Sequence, residues 1–308
     1  MKALKNHLQK ALKEEACLKE TLNNNIILKI MKRSLLSLIC ILFFGLYSTG
    51  QEKQYDWTEL NLKGRVKSLS ENEFIAIEVS GEIQKNGKKK SFGGDLYWSF
   101  NIKGKVDTLL NFSSEGLLFV KYIYAYNESG LLIEIDKSFR KHFFKYNSKG
   151  QLVIELLYNN PKGVPTNKYL FYYNDKGDMI EKHSIHYVDT SRNHKFKTTY
   201  EYNIKGYMIK KQLYKEDGTN DFSYTYQYND DGKIIEQIAY LSNGRQNYKE
   251  TYQYNGNCIE ISRYNSENKL EFTEEYHYKF DKIGNWTELV SIKNNKAEYI
   301  VKRKIEYY

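Results

Sequence analysis

Tyr226-Gln227-Tyr228-Asn229-Asp230-Asp231-Gly232 decides the fold, because the same phrase returns along the chain. An aromatic residue, any residue, Tyr, Asn, two free positions and Gly recur at Tyr124–Gly130, Phe144–Gly150, Phe171–Gly177 and Tyr200–Gly206. A weaker copy, Phe112-Ser113-Ser114-Glu115-Gly116, precedes them; Tyr252-Gln253-Tyr254-Asn255 stops one residue short of a full turn, and Tyr278–Gly284 closes the series. Alternate residues of a strand share a face, so Tyr122, Tyr124 and Tyr126 line one side while Ile123 and Ala125 line the other. Asn at the first turn position and Gly at the fourth fit a type I turn followed by a left-handed residue, the hairpin with a glycine bulge. The turn glycines are conformational rather than catalytic.

A second strand follows each turn, as in Met208–Tyr214 and Lys233–Ile238, and ends in signals such as Glu216-Asp217-Gly218 or Ser242-Asn243-Gly244. One repeat is therefore two antiparallel strands. The expected fold is all-β, a repetitive antiparallel hairpin meander forming a curved or rolled sheet over residues 106–308. Residues 51–105 read as a divergent N-terminal β cap, with strands at Gly64–Ser70 and Leu96–Ile102 around a mobile, lysine-rich tip at Lys85–Lys90.

Before this lies a different composition. Met31-Lys32-Arg33, the apolar run Ser34–Leu46 and the small residues Ser48-Thr49-Gly50 form the three-part layout of a secretory signal over residues 31–50. Its apolar stretch is short for a bilayer span, so cleavage before Gln51 leaves no stable membrane insertion. Residues 1–30 read as an N-terminal extension, either an amphipathic helix or a start assigned too early with Met31 as the initiator. The whole chain carries a net charge of +9, but residues 1–50 hold eight basic and three acidic residues, leaving 39 against 35, or +4. Lysines scattered among glutamates at that balance give no focused patch for nucleic acid. Of Cys17, Cys40 and Cys258, only Cys258 survives cleavage, so no intramolecular disulfide forms.

The turn phrase resembles the YD or Rhs-type repeat of exported and surface bacterial proteins, whose core is Tyr-Asp with Gly close behind. Here Asn usually replaces the Asp, and Phe280-Asp281-Lys282-Ile283-Gly284 keeps it. The ends, Gly284-Asn285-Trp286 and Arg303–Tyr308, resemble short secreted repeat proteins of Bacteroidetes-like bacteria. The resemblance implies a β-repeat fold over roughly 105–308 and little about function.

The tyrosines are the leading binding candidates. Strands stack about 4.8 Å apart, so Tyr124, Tyr200, Tyr226 and Tyr252 form columns, joined by Trp286, that serve either as a solvent-facing platform for sugars or as core. His183-Ser184-Ile185-His186 with His194 lacks ligand spacing, because strand residues three apart face opposite ways; no metal is expected. Asn174-Asp175-Lys176-Gly177-Asp178 and Asn229-Asp230-Asp231-Gly232 are turns, not calcium loops. No nucleophile elbow, zinc-protease helix or phosphate loop occurs, and Glu274 and Glu275 diverge, so neither catalysis nor a cofactor is expected. The expected role is an exported, non-enzymatic binding or scaffolding module, periplasmic, at the cell surface or extracellular, with a glycan or surface protein as partner. The alternatives are an envelope-structural part that self-associates through edge strands, and a divergent hydrolase with two inward carboxylates.

Overall fold

The computed structural model describes residues 56–89, 94–138, 140–160, 163–187 and 193–308. The extension 1–30 and the leader 31–50 lie outside the described residues. The first strands are β1 (Val66–Val79), β2 (Glu82–Lys88), β3 (Leu96–Phe100), β4 (Val106–Phe112), β5 (Leu118–Tyr126) and β6 (Leu132–Lys137). Next come β7 (Arg140–Tyr146), β8 (Leu152–Tyr158), β9 (Asn167–Tyr173), β10 (Met179–Tyr187), β11 (Asn193–Tyr202) and β12 (Met208–Tyr214). The series ends with β13 (Asn220–Tyr228), β14 (Ile234–Leu241), β15 (Gln246–Asn255), β16 (Cys258–Asn265), β17 (Leu270–Phe280), β18 (Trp286–Lys293) and β19 (Lys296–Tyr307).

Local chemistry sets the hairpins. At the β5–β6 turn the Gly130 N–H donates to the Asn127 carbonyl at 2.9 Å, and Asn127 Oδ1 accepts the Leu131 N–H at 2.9 Å. Gly130 has φ +79°, the left-handed region that glycine enters without a Cβ penalty. The register slips by one between Ala125 and Tyr126, and likewise at Lys145/Tyr146, Glu201/Tyr202 and Gln227/Tyr228, a second bulge one pair beyond the turn. The shortened Asn255-Gly256-Asn257 turn has no bulge, and Asn255 pairs directly with Cys258.

The expectation of an open or rolled sheet is corrected: the meander closes. From β4 onward each strand pairs antiparallel with its predecessor, and β19 returns to pair with β1 from Tyr299 to Tyr307, completing a barrel of 18 strands. β1 is long enough, at 14 residues, to use its other edge twice, pairing with β3 near its start and with β2 near its end. The expected lysine-rich tip is thus largely strand β2, because the Lys85–Lys88 backbone completes a ladder with Phe74–Ala76. Closure satisfies the backbone groups that an edge strand leaves bare.

Side-chain bonds reinforce the seam. Asn285, 1% exposed, accepts the Lys63 N–H at 2.7 Å and donates to the Lys63 carbonyl at 2.8 Å. Tyr308 donates to the Phe100 carbonyl at 2.6 Å, and Arg303 Nε donates to Glu71 at 2.7 Å.

Candidate functional site

Burial separates the two walls. Tyr124, Phe144, Phe171, Tyr252 and Tyr278 are buried, while their chain neighbours Ile123, Ala125, Lys145, Tyr172, Gln253 and Lys279 are exposed. The middle aromatic of each repeat therefore faces inward, as does the residue paired with it. Those pairs are Tyr124–Ile135, Phe144–Glu155, Phe171–Lys182, Tyr200–Lys211, Tyr226–Gln237, Tyr252–Ile261 and Tyr278–Leu289. The inward partner is apolar at both ends of the series and polar in the arc from β8 to β14. It stands five positions after each turn glycine, a periodicity that a reading centred on the aromatics overlooks.

The polar arc is held by aromatic and ionic contacts. His142 Nδ1 lies 3.3 Å from the buried Glu155 carboxylate, and the Lys182 ammonium sits 4.4 Å from the Tyr169 ring centre. Burial pushes the Lys211 ammonium below its ordinary pKa. Farther round, buried Glu250 accepts from Arg263 at 2.9 Å and from Tyr252 at 2.8 Å, while the Arg263 guanidinium stacks 3.6 Å from Tyr248. Arg303 stacks 3.5 Å from Trp286 and bonds to Glu71. The inner wall thus alternates rings with charged groups, of which Arg263 and Glu250, and Arg303 and Glu71, neutralise each other, an arrangement suited to polar surfaces bearing apolar faces.

Tyr124, Tyr200, Tyr226 and Tyr252 all belong to this wall. Burial, with Tyr202 nearby, pushes the Tyr200 phenol up to about 12, and burial likewise raises Tyr226 and Tyr252. Trp286 lies half-buried beneath Arg303 and edge-on to Tyr278 at 5.9 Å. None of the four tyrosines forms an outer platform. Trp57 and Trp98 are packing residues: Trp57 Nε1 donates to the Val66 carbonyl at 2.9 Å, and Trp98 is buried.

The remaining sequence candidates separate as well. His186 stands opposite His194 and edge-on to Phe196, whereas His183 pairs with Glu181. Asn229 and Asn174 spend their side-chain oxygens on turn N–H groups at 2.9 Å. Glu274 accepts from Ser291 at 3.2 Å on the inner side, and Glu275 meets His277 on the outer.

The outer wall is laced with ion pairs. Lys210 reaches Glu201 at 3.1 Å, and Glu288 joins Lys279 at 2.7 Å to Lys302 at 2.8 Å. Lys141 bonds Glu134 and lies 3.2 Å from Asp136. A lysine at the centre of a lipid-facing band costs about 2–4 kcal/mol and about 0–1 kcal/mol near its edges, so these ion pairs disfavour lipid where they stand. Outward positions of β5 and β9 also carry exposed apolar residues, Ile123 and Tyr172 among them.

No family model matches the chain, and no curated protein is similar to it. The YD/Rhs-type resemblance of the turn phrase accordingly has no family match behind it. Among solved structures, a porin-like protein from Bacteroides uniformis is similar over 79% of this chain and 98% of its own, at 14% identity and a TM-score of 0.30. A porin-like protein from Bacteroides vulgatus covers the same shares at 11% identity and a TM-score of 0.38. A TcdB2–TccC3–Cdc42 structure matches 73% of this chain and 19% of its own, at 9% identity and a TM-score of 0.17. At these scores the likenesses bear on neither function nor location.

Proposed function

We propose that this chain is an exported, water-facing barrel that binds or scaffolds a polar ligand of glycan type against its inner wall, without catalysing a reaction. The observation that carries this reading is the division of the walls: ion pairs outside, and inside the alternation of Tyr, Arg, Lys and Glu from β8 to β19. Rings present flat apolar faces to sugar carbons, while the neighbouring charged groups and hydroxyls bond to sugar oxygens. Tyr200, Tyr226 and Arg263 remain partly exposed on this wall, which leaves ring faces and a guanidinium for such a ligand.

The protein, expressed as its full chain and purified after export without detergent, is applied to a glycan array and used in a pull-down from surface extracts. Saturable binding that weakens in Tyr226→Ala and Arg263→Ala supports the proposal. Absence of signal above background in both formats, from a folded monodisperse sample, removes it. An envelope-structural role is the second reading, favoured by the exposed apolar residues at outward positions of β5 and β9. It predicts concentration-dependent self-association in sedimentation, abolished by Ile123→Lys with Tyr172→Lys.

A further inference from the structure

Cys258, Glu275 and His277 meet on the outer wall, beside the copy of the repeated turn phrase that is a residue short. Because that turn has no bulge, Cys258 pairs with Asn255 on one side and lies directly opposite His277 on the other. Glu275, two positions before His277, shares its face, and Glu260 stands opposite Glu275. Cys258 Sγ is 3.8 Å from His277 Nε2, which is 2.8 Å from the Glu275 carboxylate, and one donor atom from each residue lies within 4.8 Å of the others. Among the described residues this is the one group of three such donors.

We propose that Cys258, Glu275 and His277 form a binding site for a divalent metal ion of zinc type, with its fourth position taken by water or by Glu260. Tetrahedral zinc places thiolate sulfur and imidazole nitrogen about 3.6 Å apart and nitrogen and carboxylate oxygen about 3.3 Å apart, so side-chain shifts of about 1 Å or less convert the cluster into a ligand set. Mixed sulfur, nitrogen and oxygen donors select a borderline transition metal over calcium or magnesium.

The metal-free cluster is also electrostatically uncomfortable. Glu260 and Glu275 are like charges directly opposite each other, a destabilising cross-strand pair. Burial, and then these two carboxylates, hold the Cys258 thiol above its ordinary pKa. A dication on this face reverses each effect. Binding sends the thiol proton to solvent, and the imidazole moves the proton that Nε2 shares with Glu275 over to Nδ1 so that Nε2 can take the metal, for a net release of one proton. Cys258 and Glu275 are half-buried and His277 is exposed, so the ion exchanges with solvent.

Cobalt(II) titration of the reduced, chelator-treated full chain tests the site. The expected result is a near-ultraviolet thiolate-to-cobalt charge-transfer band with strong tetrahedral d–d absorption, saturating at one equivalent and displaced by zinc(II). Cys258→Ser removes the charge-transfer band, and Cys258→Ser or His277→Ala weakens zinc(II) by on the order of 100-fold, with far-UV circular dichroism unchanged. A second measurement does not depend on any variant: zinc(II) slows alkylation of Cys258 in the wild-type protein by about 10-fold or more. A missing charge-transfer band, unaltered zinc(II) affinity in both variants, or alkylation indifferent to zinc(II) overturns the proposal.

Discussion

The Tyr228 hydroxyl donates to the main-chain carbonyl of Met208 at 2.6 Å, tying the second aromatic of one repeat to the first strand residue after the preceding turn glycine. The bond repeats as Tyr126 to Val106, Tyr146 to Leu132, Tyr173 to Leu152, Tyr202 to Met179 and Tyr254 to Ile234. The second aromatic of the phrase, Tyr in every copy but the first and last, where Phe112 and Phe280 stand, is thus a latch between repeats. In five of the six bonds the partner is two positions past the preceding phrase glycine, and for Tyr126 it is two past Gly104, so turn and latch keep the same period.

Tyr228→Phe removes the bond and keeps the ring, so it lowers stability by about 1 kcal/mol. Tyr228→Ala also discards the ring stacked on Tyr207 at 5.0 Å, and costs about 3 kcal/mol. Urea denaturation measures both. A Tyr228→Phe midpoint equal to wild type shows that the latch contributes nothing.

At the seam, Arg303 has a side chain only 2% exposed and pairs with Glu71 across β19 and β1. Removing one partner of such a pair strands a charge, so Arg303→Met destabilises by about 3–5 kcal/mol. The double variant Glu71→Leu/Arg303→Met recovers most of that loss. A double-mutant cycle in thermal unfolding reads the coupling, and simple additivity of the two single losses contradicts it.

Gly206 and Gly232 share a left-handed backbone, with φ +82° and +77°, yet differ in surroundings. A Cβ on Gly206 meets open space, so Gly206→Ala costs about 1 kcal/mol of backbone strain. On Gly232 it falls 2.5 Å from the Tyr207 hydroxyl, and Tyr207 is buried. Gly232→Ala therefore costs at least about 1 kcal/mol more, as the ring is displaced from Tyr228. Equal melting temperatures for the two variants are the contrary result.

Alkali unfolds the barrel. Burial raises the Tyr200 phenol to about 12 and also raises Tyr226, Tyr252 and Tyr276, so the native state holds protons that the unfolded chain releases near pH 10. Their stabilisation is fully present below about pH 10 and is lost as pH rises through the native values. Phenolate absorbance is expected to lag for these rings and then rise together with the loss of circular dichroism. Independent titration of all tyrosines near pH 10, with the fold intact, is incompatible with this wall.

How much of the site was legible differs by residue. Asn127 and Gly130 announce the β5–β6 turn by themselves, because turn geometry is settled within a few residues. Tyr226 announces its column but not its face, since alternation gives two sides without saying which is concave. Lys211 and Glu155 were passed over although their period matches the glycines, because charged residues in a strand read as solvent-facing. Cys258 and His277 sit 19 positions apart and on different strands, so no single-strand spacing joins them.

The sequence by itself determined the strands, the bulged turns and the two-strand repeat, because each follows from interactions among neighbouring residues. It did not determine closure, which depends on β19 finding β1 more than 200 residues away in register. Only the tertiary structure decided that the tyrosines face inward, that the ion pairs face out, and that a shortened turn lays Cys258 beside His277. Those outcomes depend on curvature and cross-strand register, which are properties of the whole ring of paired strands rather than of any segment.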